Sequence, residues 1–123
     1  MLSVLTINHN NSDISFLESF TFNKDLLLNA LSQLKSINGI DECFILSTCN
    51  RVEIYVSSKI KNIDSEIIKF ISNFHKVPIS KKAPTTYQFM HGKDAAYHLI
   101  KVASGSDSML LGEPQIINQI REG

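Results

Sequence analysis

The stretch Cys43-Phe44-Ile45-Leu46-Ser47-Thr48-Cys49-Asn50-Arg51-Val52-Glu53-Ile54-Tyr55-Val56 reads as two strands joined by a short polar loop. Cys43 to Leu46 is a continuous apolar run, and Val52 to Val56 alternates with period two. The residues between them, Ser47 to Arg51, are small or polar and suit a hairpin connection. On the second strand Val52, Ile54 and Val56 share one face, and Glu53 and Tyr55 share the other. Glu53 is therefore expected to point away from the apolar layer and to pair with a surface cation. The loop holds Cys49 at the end of a sheet, two residues from Arg51, whose charge favours thiolate over thiol. Thr48 and Asn50 offer hydrogen bonds to a substrate or to the turn itself. The alternative is a polar turn with an inert cysteine.

Upstream, Leu2 to Ile7 is a near-continuous apolar run and reads as a buried strand. A polar loop, Asn8 to Asp13, follows it and contains His9. Phe16, Phe20 and Phe22 read as packing anchors. Asn23 suits the N-cap of a helix whose apolar stripe is Leu27, Ala30, Leu31, Leu34 and Ile37, with Gly39 as its stop. Downstream, a second helix begins near Asn62 or Asp64. It buries Ile63, Ile67, Phe70, Ile71 and Phe74 and ends before Pro78. His75 is expected to be solvated at its C-terminus, where a cation complements the helix dipole. Ser80 to Pro84 is a basic connector, and Thr85 to Met90 alternates as a fourth strand with Tyr87 and Phe89 on one face.

The order strand, helix, strand, strand, helix, strand predicts an α+β fold. The plan is a ferredoxin-like βαββαβ antiparallel sandwich with two helices on one face of a four-stranded sheet. A third helix is predicted over 94–104, with Ala95, Leu99, Val102 and Ala103 as its apolar arc. At about 100° per residue His98 falls on the edge of that arc, partly buried and able to reach a cleft. Gly105 to Ser108 is a turn, and Gly112-Glu113-Pro114-Gln115 opens a fourth helix continued by Ile116, Ile117 and Ile120. The fold is thus expected to carry further C-terminal helices.

A chain of 123 residues suits one domain. No run approaches the roughly 20 apolar residues that span a bilayer, and Met1-Leu2-Ser3-Val4 lacks the basic start of a secretory signal. Two cysteines make no disulfide framework, so reduced thiols and a cytoplasmic location are expected. The net charge is zero, but residues 58–93 hold seven lysines against Asp64 and Glu66. These lysines could lie along phosphates, but a solvated surface is the favoured reading, because a neutral chain is a weak non-specific binder of nucleic acid. No DNA partner, membrane association or metal site is expected.

Two strings carry a resemblance. Leu46-Ser47-Thr48-Cys49-Asn50-Arg51-Val52-Glu53-Ile54-Tyr55 resembles the nucleophile motif of glutamyl-tRNA reductase. Ala103-Ser104-Gly105-Ser106-Asp107-Ser108-Met109-Leu110-Leu111-Gly112-Glu113-Pro114-Gln115-Ile116 resembles a second signature of that family, and Thr6-Ile7-Asn8-His9 a third, weaker one. The resemblance covers essentially the whole chain but only the first part of the family's usual length. It implies that residues 1–123 are an N-terminal catalytic, glutamate-recognising domain, ending in the helix that leads to an NADPH-binding domain outside this chain.

It implies, too, the reduction of glutamyl-tRNA to glutamate-1-semialdehyde, the first step of tetrapyrrole synthesis through 5-aminolevulinate. Cys49 is the implied nucleophile and His98 its catalytic partner. Thr48, Asn50, Arg51, Ser108, Glu113, Pro114, Gln115 and Gln119 are the implied substrate-binding set. Arg51 is suited to the substrate's γ-carboxylate and Glu113 to its α-ammonium. NADPH is the implied cofactor, glutamyl-tRNA the substrate, and a homodimer the assembly, with glutamate-1-semialdehyde aminomutase as a partner for product transfer. The chain departs from the family in having Ser106 where an apolar residue is usual, and in lacking Ala-Pro after His9. It contains no G-x-G-x-x-G turn. Two other readings remain: a non-catalytic α/β binding module, and a cysteine acyl hydrolase in which His98 activates Cys49.

Overall fold

The computed structural model describes residues 1–10, 12–79, 87–105 and 111–112. In chain order the elements are β1 (Leu2–Asn8), α1 (Ile14–Glu18), α2 (Lys24–Lys35), β2 (Ile40–Ser47), β3 (Arg51–Ser58), α3 (Ile63–His75), β4 (Gln88–His91), α4 (Gly92–Gly105) and β5 (Leu111–Gly112). The five strands form one sheet in the order β4-β1-β3-β2-β5, with every neighbouring pair antiparallel. The α+β class and the four-stranded antiparallel core of the sheet are as the sequence predicts. The two-residue β5 on the β2 edge and the single-turn helix α1 are additional. The predicted fourth helix lies outside the described residues.

Local chemistry accounts for the helix starts. The Leu26 N–H donates to the Asn23 side-chain oxygen at 2.8 Å, and the Phe16 N–H to Asp13 at 2.7 Å. Each cap satisfies a backbone donor that the first helical turn leaves orphaned. Between α2 and β2, Gly39 takes φ 98°, and a Cβ there would stand 2.7 Å from Cγ1 of Ile60. Both the left-handed backbone and the close approach require glycine. At the far end of α3, Lys76 adopts the left-handed C-terminal conformation, and Pro78 follows once the helix has ended.

The sheet divides the apolar side chains into two cores. One face, with Leu5, Ile7, Cys43, Ile45, Val52, Ile54 and Val56, packs against α2 and α3 through residues such as Leu27, Leu34, Ile67 and Ile71. The opposite face carries Val4, Phe44, Leu46 and Tyr55 and is covered by Ala95, Leu99 and Val102 of α4. Three sequence expectations change here. Ala103, placed in the apolar arc, is exposed. His75 is not solvated; its ring lies 4.6 Å from Phe22, 5.3 Å from Phe74 and 5.7 Å from Phe20 between centroids. Burial holds the His75 imidazolium below its ordinary range, against a hydrogen bond to the Phe20 backbone. Most important, α4 closes the face that carries Glu53, and this decides the chemistry of the site.

Candidate functional site

Residues 48–50 connect β2 to β3, and hydroxyl and backbone groups hold this turn closed. The Thr48 N–H donates to the Arg51 carbonyl at 2.8 Å. The Thr48 hydroxyl oxygen accepts from the Asn50 N–H at 3.1 Å and from the Arg51 N–H at 3.2 Å. The sequence reading offered Thr48 to a substrate or to the turn; in the structure it serves the turn, as short hydroxyl side chains do. The Asn50 carbonyl accepts from the His9 N–H at 3.1 Å, which ties the turn to the end of β1. At the base of the hairpin Ser47 accepts from the Phe22 N–H at 2.9 Å. Cys49 stands at the tip with an exposed thiol, and Cys43 is buried on β2.

Below the tip lies Glu53, fully buried rather than on the surface. One of its carboxylate oxygens accepts from the Thr6 hydroxyl at 2.6 Å and from an Arg51 guanidinium nitrogen at 3.2 Å. Nε2 of His98 lies 2.6 Å from the same oxygen. The other oxygen accepts from the Tyr55 hydroxyl at 2.6 Å. Thr6 arrives because β1 pairs with β3 in a register that sets it directly opposite Glu53. Tyr55 arrives because it lies two residues along the same strand face, and His98 because α4 packs over that face. Arg51, pairing with Asn8 at the mouth of the sheet, reaches back along the strand.

The electrostatics follow from this geometry. Burial alone would push the Glu53 carboxyl up. Hydrogen bonds from His98, Thr6 and Tyr55, with the charge of His98, overcome burial and bring it below the ordinary carboxylate range. Burial pushes the Tyr55 phenol in the other direction, well above its usual range. The Glu53 charge and hydrogen bond add to that, and only Arg51 opposes it. Tyr55 is thus a fixed donor and Glu53 a fixed anion. The expected partial burial of His98 is realised, at 19% side-chain exposure against 22% for Arg51.

Of the residues singled out in the sequence, Arg51 and His98 meet on a single carboxylate, and Cys49 stands at the tip of the same hairpin. Ser108, Glu113, Pro114, Gln115 and Gln119 lie outside the described residues. Glu53 is the residue that sequence reasoning misplaced, and Thr6 and Tyr55 come into the site with it. The available signal was the apolar arc of 95–102, which needs a second sheet face to cover. Among the described residues no cluster of three His, Cys, Asp or Glu side chains could hold a metal ion, and no helix is long and apolar enough to cross a membrane.

The family model described as "Glutamyl-tRNAGlu reductase, N-terminal domain" matches residues 5–123, which include the hairpin, β1 from Leu5 onward and α4. The chain belongs to the glutamyl-tRNA reductase family. It is 40% identical over 121 residues to a glutamyl-tRNA reductase from Ruthia magnifica, covering 98% of this chain and 29% of the relative. A second, from Chromohalobacter salexigens, is 40% identical over 121 residues, with 98% and 28% covered. Among solved structures, glutamyl-tRNA reductase from Methanopyrus kandleri aligns with a TM-score of 0.63 at 27% identity, over 98% of this chain and 26% of that one. The chain thus spans less than a third of the length of the glutamyl-tRNA reductases it matches.

Proposed function

We propose that this chain is the catalytic, glutamate-recognising part of an enzyme that reduces glutamyl-tRNA to glutamate-1-semialdehyde, and that Cys49 carries the acyl group. The observation that carries the reading is an exposed thiol at the tip of a hairpin whose first β3 residue, Arg51, is anchored from below by a buried carboxylate. The finer description of the fold as a ferredoxin-like sandwich belongs to the same reading and rests on the strand order β4-β1-β3-β2.

The thiolate of Cys49 attacks the carbonyl carbon of the aminoacyl ester. A C–S bond forms, the C–O bond to the tRNA ribose breaks, and the departing oxygen takes a proton. This divides one difficult step into two, as covalent catalysis does. Arg51 spends one guanidinium nitrogen on Glu53 and keeps the remaining N–H donors for the substrate carboxylate. His98 is the group suited to moving the proton. Ser108, Glu113, Pro114, Gln115 and Gln119 complete the pocket in this reading.

NADPH is the hydride source. The five glycines of the chain stand too far apart to form a dinucleotide turn. The steps assigned to these residues are therefore binding, acyl transfer and proton transfer. A glutamyl group on an exposed thiol is open to water, so slow release of free glutamate accompanies acylation.

The test is to mix the chain with glutamyl-tRNA and follow intact mass and free glutamate. A glutamyl adduct on Cys49 is expected, absent in Cys49→Ser. A Cys49→Ser chain that released glutamate as fast as its parent would remove the nucleophile and the reading with it.

A further inference from the structure

We propose that Glu53 is a positioning residue that fixes His98 as its Nε2–H tautomer, so that Nδ1 is the nitrogen presented to acyl transfer at Cys49. The role in acyl transfer rests on the function proposed above; the tautomer stands on geometry alone.

A neutral imidazole has one N–H donor and one bare acceptor nitrogen, and the partner of one nitrogen decides the state of the other. The partner of Nε2 is a carboxylate oxygen 2.6 Å away. An ionised carboxylate accepts and cannot donate. Glu53 is kept ionised by the groups that face it among the described residues. These are Thr6 from β1, Arg51 and Tyr55 from β3 and His98 from α4, while Leu46, opposite it on β2, is apolar. Every polar contact of the carboxylate must therefore bring its own hydrogen, and at His98 that hydrogen is on Nε2. The neutral ring then has Nδ1 bare.

The same oxygen fixes a second group. Arg51 and His98 both bond to it, so the anion-binding fork and the proton-transfer group keep a constant relation to each other. Rigid support of this kind is what a site needs if its reacting groups are to keep their alignment. Tyr55 has a different part. It bonds the other oxygen and holds the carboxylate plane.

The test is a nitrogen-15 spectrum of the histidine rings in the unreacted chain, followed as the pH is raised until each ring is neutral. His98 is expected to show a protonated Nε2 and a bare Nδ1. A neutral ring with its proton on Nδ1 and Nε2 bare overturns the proposal. Glu53→Met, similar in size and without an acceptor, should let a share of Nδ1–H appear beside the Nε2–H form that a free imidazole favours, and slow acylation of Cys49 on the order of a hundredfold. Unchanged tautomers in that variant also overturn it. Glu53→Gln guards against a Met variant that does not fold, because its carbonyl oxygen can occupy the shared position while its amide donates to the Tyr55 hydroxyl. It should keep the Nε2–H tautomer and rescue part of the rate, and a folded Gln chain with the opposite tautomer refutes the assignment. Because the spectrum is recorded without substrate, a missing glutamyl adduct on Cys49 counts against acyl transfer and not against the tautomer.

Discussion

Arg51 reaches Glu53 through one guanidinium nitrogen at 3.2 Å, and its side chain is about one-fifth exposed. Lysine would keep the charge and lose the planar fork, which must serve Glu53 and a substrate carboxylate together. Arg51→Lys should weaken discrimination of glutamyl- from glutaminyl-tRNA by about 1.5–3 kcal/mol, the range of a charge-assisted hydrogen bond. Competition between the two charged tRNAs in the acylation assay measures this, and unchanged discrimination would dismiss the carboxylate fork. His75 gives a prediction of the opposite kind, about stability rather than activity. Its imidazolium is held below the ordinary 6.5 by burial, so the unfolded chain binds the proton more readily. Stability is therefore present above 6.5 and is lost as the pH falls from there through the depressed folded value. Glu53, depressed below 4.5, adds a loss of the same sign lower down. Urea midpoints between about pH 7 and pH 5 should fall with acidity in the parent and flatten in His75→Gln.

Two turns and caps set how the elements meet. Asn23 closes the first turn of α2 with a 2.8 Å side-chain bond. Asn23→Ala should cost about 1 kcal/mol in denaturant unfolding, while leaving acylation unchanged, because α2 packs on the face of the sheet away from His98. Gly39→Ala should cost more than about 1 kcal/mol, since φ 98° excludes a side chain and the new methyl would meet Cγ1 of Ile60. The same unfolding experiment checks it, and a neutral Gly39→Ala would mean that the α2–β2 connection relaxes freely. The β2–β3 hairpin is the element on which the site depends. Its turn is closed by Thr48 and tied to β1 through the His9–Asn50 backbone bond. Cys49 is thus exposed on a supported turn rather than on a free loop.

At the scale of the molecule, the two cores have separate duties. The larger one joins α2 and α3 to the sheet, and the smaller one seats α4 and with it His98. Truncating a buried leucine or isoleucine in either core costs about 2–5 kcal/mol. The effects on chemistry should differ. Leu99→Ala should loosen α4 and slow acylation per folded molecule, whereas Ile67→Ala should lower the melting temperature with little change in that rate. Comparing acylation rates at matched folded fractions decides the matter. Equal losses in both variants would mean that α4 does not act as the support of the site.

What the sequence determined by itself was local. Hydrophobic period located four strands and three long helices, caps and glycines marked their ends, and the motifs around Cys49 and Gly105 identified the family. Period two even placed Glu53 and Tyr55 together on one strand face. Whether that face met water or another layer was decided only by the tertiary structure, because a strand's own pattern carries no record of what packs over it. Tyr55, between Glu53 and Ser57 on that strand face, suited either outcome. The same limit applied to His75, which looks solvated beside Lys76 until Phe20 and Phe22, more than fifty residues earlier in the chain, close over it. Long-range packing turned a surface carboxylate into a buried anion, and with that change the strand facing α4 became the floor of the site.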